Sequence, residues 1–206
     1  MSSEKKYKYH EELREDTRAL LRRNLTDAAD HILTTEGPNA LTIRRIAEEL
    51  NASTKVVYSL FGGKDGLANE LYVEGCDRLR HYIEGVVFTD NVRDYVINCC
   101  WAYWHFAIEN PSYYAVMFNN AIPQFQPKPE SLANVATAFK ILIQVLTQYQ
   151  EAGKLPPRDV VEIIRVIWSP LHGVISLSVG QHFNEEEARQ LYSQVIEITA
   201  NWLMGT

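Results

Sequence analysis

The sequence predicts an all-α protein: an N-terminal three-helix unit of helix-turn-helix type, then a larger helical domain. Three observations carry this. Apolar residues recur at three- and four-residue spacing along most of the 206-residue chain. Glycine and proline mostly fall between those runs, and no segment shows the strict alternation of a half-buried strand. At 46% hydrophobic residues the chain has ample material for a core.

Residues 1–15 mix Lys5, Lys6, Lys8 and Arg14 with Glu4, Glu11 and Glu12 and lack an apolar stripe, so they read as a mobile arm. From Asp16 to Glu36, Leu20, Leu21, Leu25, Ala28, Ala29, Ile32 and Leu33 share one helical face, and Gly37-Pro38 ends the helix. Leu41 to Leu67 then organises the rest of the unit. Leu41, Ile43, Ile46, Ala47 and Leu50 keep helical spacing, Asn51-Ala52-Ser53 interrupts it, and Val57, Leu60 and Phe61 resume it one turn later. Two short helices across a tight turn follow, with Thr42 as cap of the first and Ser53 or Thr54 as cap of the second. Gly62-Gly63 closes that second helix.

Lys64 to about Val87 predicts a long helix weakened locally by Gly75, and Asp90 to Glu109 a second one rich in bulky side chains. Pro111 suits the first position of a short helix through Phe118, whereas the three prolines of residues 121–129 make a loop. Glu130 to Ala152 reads as one helix. Arg158 to His182 is apolar on nearly every side, with Pro170 predicting a kink, and so must be buried in the core or against another subunit. Asn184 to Glu187 has capping-box form and opens a final helix to about Leu203. The domain boundaries expected are 16–63 for the first unit and 64–206 for the second.

A helix-turn-helix places its second helix in the DNA major groove while the first braces it across the backbone. With Val57 and Phe61 turned to the core, Thr54, Lys55, Tyr58 and Ser59 face outward, where hydroxyls and a lysine can bond phosphates or base edges. Val56 can touch a thymine methyl. Thr42, Arg44, Arg45 and Ser53 flank the groove, and Lys64 lies beside the free amides of a helix N-terminus, a ready phosphate site.

The order Ile46-Ala47, Ser53, Tyr58, Phe61, Lys64, Leu67 resembles the DNA-binding region of the TetR family of transcriptional repressors. The resemblance covers about the first third of the chain and implies phosphate contacts for Tyr58 and Lys64. Lys55 and Ser59 depart from the residues usual there, so base preference does not carry over. Trp168 with His172-Gly173 is similar to the C-terminal domain of one TetR subgroup. From the family, the resemblance implies a C-terminal ligand-binding and dimerisation domain, with helices 158–182 and 184–203 forming a four-helix homodimer interface. A dimer also suits the physics, because one reader of three or four side chains discriminates poorly and two copies read a palindrome.

The net charge of −6 is uneven: residues 1–66 hold 11 basic and 11 acidic side chains, leaving 9 against 15 for the remainder. A neutral front with a local basic face is compatible with DNA. Three cysteines make no disulfide framework, the N-terminus is charged, and no uninterrupted apolar run reaches spanning length, so a cytoplasmic protein without a membrane partner is expected. Neither a phosphate loop nor a clustered metal-ligand set is present, so no catalytic residue, metal or cofactor is expected. Tyr95, Cys99, Tyr103, Phe106, Tyr114, Phe118, Phe125, Phe139, Trp168 and His172 supply an apolar or aromatic effector pocket with a few polar handles. The expected function is a ligand-responsive repressor of palindromic operator DNA. A ligand-independent DNA-binding protein or an all-α enzyme would use many of the same features.

Overall fold

The computed structural model describes residues 3–205, with side chains from Glu12 onward. Among the described residues the regular structure is wholly helical. The first helix, α1, runs over Ser3–Thr35 and so opens well before Asp16, where the apolar stripe begins. Residues 1 and 2, and the side chains through Glu11, lie outside the described residues, so the basic side chains expected at Lys5, Lys6 and Lys8 are not placed. Gly37, at φ 82°, ends the run and a single 3-10 turn over Pro38–Ala40 leads into α2, Ile43–Glu49.

The two helices across the turn form as expected. Thr42 caps α2, its hydroxyl oxygen accepting the Arg45 N–H at 3.1 Å. Ser53 sits at the cap of α3, Thr54–Phe61, but its side chain makes no capping bond. Ile46 and Val57 are fully buried against Leu25, Ala29, Ile32 and Leu41, which anchors α2 and α3 on α1. Gly62, in left-handed conformation at φ 73°, terminates α3 one residue before the turn into α4, Lys64–Glu84.

From there α4 carries the chain into the second unit, packing on α5, Val92–Glu109, on α6, Pro111–Phe118, and on α7, Pro129–Ala138. Gly75 is a packing glycine as well as a weak helix former, because a Cβ there would stand 2.6 Å from Met117 Sδ and 3.3 Å from Tyr113 Cβ. Its absence lets α6 lie close on α4.

The expected single helix from Glu130 to Ala152 is a correction. It is two helices, α7 and α8, Lys140–Glu151, broken at Phe139, which has φ −95° and ψ 2°. Neither proline nor glycine marks the break. It arises where the Phe139 ring turns inward to meet Trp168 at 6.3 Å.

The last two helices are α9, Val160–Val179, and α10, Glu185–Met204, packed along each other. Pro170 lies inside α9 without ending it. By length and composition α9 could cross a membrane, which the sequence reading discounted, yet it carries Glu162 and Arg165 and buries Ile163, Ile167, Leu171, Val174 and Ile175. Its other face is exposed in the single chain, where Val161, Val166, Leu177 and Val179 meet solvent, which leaves burial against another subunit as the open half of the expectation. On α10, Ile198 and Trp202 are exposed as well. The capping box is complete: the Asn184 side chain accepts the Glu187 N–H and the Glu187 carboxylate accepts the Asn184 N–H, both at 2.9 Å. Asn184→Ala is expected to lower stability by about 1 kcal/mol, read as a fall in the urea midpoint at unchanged slope.

Candidate functional site

The outward face of α3 is built by default: Val57 and Phe61 are buried, which leaves Thr54, Lys55, Tyr58 and Ser59 exposed on the other side. Tyr58 is 55% exposed and its hydroxyl has no hydrogen-bond partner among the described residues. Lys55 forms no ion pair there either. Ser59 donates back to the Val56 carbonyl at 2.8 Å, and Val56 is partly buried against the core. Lys64 occupies the first turn of α4, half-buried beside Asp65.

The two arginines of α2 differ. Arg44 is largely exposed and pairs only with Glu48, at 2.8 Å, a contact that a phosphate can replace. Arg45 is held by Glu36 and Glu49 at 2.6 and 2.7 Å, tying α2 to the end of α1. Those two carboxylates raise its guanidinium pKa above the ordinary value. Its geometry suits bracing more than a free phosphate contact. Beside α3, a groove lined by Arg14, Thr17 and Arg18 of α1 meets Val56 and Ser59, which the sequence reading did not bring together. The i, i+4 spacing of the two arginines was the available signal.

The ten aromatic and polar candidates of the second unit separate into distinct places. Cys99, Tyr103, Phe139 and Trp168 line a narrow apolar cavity of about 40 Å³, with Ile83, Val96, Cys100, Leu142, Leu146, Ile164, Ile167 and Leu171. Tyr114, Phe118 and His172 adjoin it through Tyr103. The Tyr103 and Tyr114 hydroxyls lie 3.0 and 2.8 Å from His172 Nδ1, and Ser176 Oγ lies 3.2 Å from the Tyr114 hydroxyl. Trp168 and Phe118 each flank the imidazole at 5.1 Å. Phe106, fully buried, backs Tyr103 at 6.5 Å. Tyr95 instead packs with Phe88 and Tyr149, and Phe125 with Tyr72, so neither lines the cavity. The aliphatic wall was missed because such residues at helical spacing are indistinguishable from ordinary core.

Burial dominates the chemistry of this region. It pushes the Cys99 thiol up to about 12, so the neutral thiol is the resident form and not a nucleophile. Burial also lowers the His172 pKa below its ordinary value. Unfolded His172 therefore binds a proton that the folded protein resists, and stability present above about pH 6.5 is lost as the pH falls toward the lower folded value. His172→Gln should flatten the decline in urea midpoint between pH 7.5 and pH 5.5 relative to the parent; an unchanged decline would assign it elsewhere.

Short α6 joins this cluster to the first unit. Tyr114 and Phe118 point to His172, while Ser112 shares a 2.5 Å hydrogen bond with Thr34 of α1. Next to it, the Arg78 guanidinium of α4 lies 4.3 Å over the Tyr113 ring and donates to Asn110 at 3.0 Å. Arg22 of α1 forks onto Glu70 of α4 at 2.7 and 3.0 Å. Burial raises the pKa of Asp30, against a lowering contact from Ser112. Among the described residues no group of three metal-ligating side chains forms.

Residues 25–71 match the model of bacterial regulatory proteins of the tetR family, and residues 96–198 that of the tetracyclin repressor-like C-terminal domain. The chain is 26% identical over 171 residues to the uncharacterized HTH-type transcriptional regulator YobS of Bacillus subtilis, covering 82% of this chain and 84% of that protein. A solved protein of unknown function from Rhodococcus sp. RHA1 is similar with a TM-score of 0.76 at 22% identity, over 89% of this chain and 95% of that one. The fatty acid degradation regulator FadR of Bacillus halodurans is similar with a TM-score of 0.68 at 15% identity, over 88% and 95%. The two structural likenesses concern the fold.

Proposed function

The chain belongs to the TetR family of bacterial regulatory proteins and is a transcriptional regulator, not an enzyme; we propose that it is a dimeric repressor whose grip on operator DNA is set by a small effector in the second unit. One observation carries the DNA-reading part: the outer face of α3 presents Thr54, Lys55, Tyr58 and Ser59 to solvent while its inner face is locked in the core. These side chains read bases and phosphates. Arg44, Thr42, Ser53, Val56 and Lys64 flank them, and Arg14 and Arg18 extend the basic edge along α1. The reader is residues 16–63 and the regulatory unit 64–206.

The two copies meet through α9 and α10. Val166, Pro170 and Leu177 are exposed along one stripe of α9 with half-buried Gly173 between them, and Ile198 and Trp202 are exposed on α10, an apolar surface that a second copy would cover. Trp168 with His172-Gly173 supports a place in the Trp-His-Gly subgroup. Such a protein works in the cytoplasm, free of membrane.

Coupling runs through α6. An occupant that pushes Tyr114 or Phe118 off His172 moves the helix whose other face holds Ser112 against α1 and Met117 against α4. The tilt of α3 relative to its twin then changes, and by linkage DNA weakens effector binding in the same ratio. Recovery of a palindrome from random duplexes at stated salt is the expected result for the purified protein. Sequence-independent, salt-sensitive binding alone would remove the operator from this reading.

A further inference from the structure

We propose that the effector is uncharged: a slim apolar body carrying one hydrogen-bond acceptor, such as a medium-chain ketone, aldehyde or ester. The inference rests on the reading of the cavity as the regulatory site. Two observations select this chemistry. No acidic or basic side chain lines the cavity, and the adjoining His172, its pKa lowered by burial, is held neutral, so a carboxylate or ammonium would be stripped of water with no charge to pair it. Its tail would gain less than its head lost.

The second observation is a buried donor without a well-formed hydrogen bond. Trp168 Nε1 is completely buried and makes no hydrogen bond of normal geometry. Such groups are rare in native cores, because a buried N–H forfeits its water bond without replacement. The Tyr103 hydroxyl lies against it while bonding His172, and the contact falls short of normal hydrogen-bond geometry. A ligand carbonyl would supply a better-placed acceptor. The cavity is only about 40 Å³, so an unbranched chain that parts the flexible Leu142 and Leu146 side chains suits it better than a rigid polycycle.

The test titrates the full-length protein at pH 8 with 2-octanone, octanoate and octylamine, following the thermal midpoint and the indole N–H resonance of Trp168. The expected result is that 2-octanone binds at least about tenfold tighter than either charged analogue and moves the indole proton downfield. Trp168→Phe, which keeps an aromatic ring and removes the donor, should weaken ketone binding about tenfold, the usual worth of one neutral hydrogen bond. The wild-type resonance decides the matter if the variant folds poorly. Equal binding of octanoate or octylamine, an unmoved indole resonance, or failure of all three probes would overturn the proposal. Operator binding is scored on the same ligand-free samples. If it persists, such a failure removes the ligand class alone; its absence would instead strike the DNA-reading assignment.

Discussion

Gly66→Ala is expected to cost about 3 kcal/mol and to abolish operator binding. A Cβ at this position would stand 1.7 Å from the Phe61 carbonyl oxygen and 2.8 Å from its carbon. Both are backbone atoms, so no side-chain rotation relieves the overlap. The first turn of α4 would have to swing away from the end of α3, and that junction sets the angle at which α3 stands on α4. A urea titration should show a lowered midpoint, with the loss of DNA binding already complete under native conditions. A variant that folds and binds like the parent would mean the tight approach is dispensable.

Lys55→Ala and Tyr58→Ala should each weaken operator binding by about 10- to 100-fold, the range for losing one good base or phosphate contact. Both side chains are exposed and neither has an intramolecular polar partner among the described residues. Their removal leaves no buried group unpaired, so the thermal midpoint should stay where it is. That separation of affinity from stability distinguishes a recognition surface from a structural one. Lys64→Ala, at the helix N-terminus, should instead lower affinity for all sequences alike and reduce the salt slope by about one. Retained affinity and sequence preference in the Lys55 and Tyr58 variants would deny α3 the groove.

The reading unit was legible because its signals are local. Thr42, Gly37, Gly62 and the Val57/Phe61 spacing act within one or two turns, through capping, left-handed backbone and helical periodicity. The complete capping box at Asn184 was legible for the same reason. The cavity was less so: Tyr95 and Phe125 carry the same aromatic signature as Tyr103 and Phe139, yet pack elsewhere. The break at Phe139 has no local cause at all.

Sequence alone thus settled the helical class, the two-helix unit with its outward face and the capping box that opens the last helix, since each depends on neighbours in the chain. Packing settled the rest. It tied Arg45 to Glu36 and Glu49, laid Arg14 and Arg18 beside α3, and set Tyr114 and Ser112 on opposite duties of one short helix. A cavity is the space left between helices far apart in sequence, so its lining follows from how their side chains interdigitate and is written in no single segment.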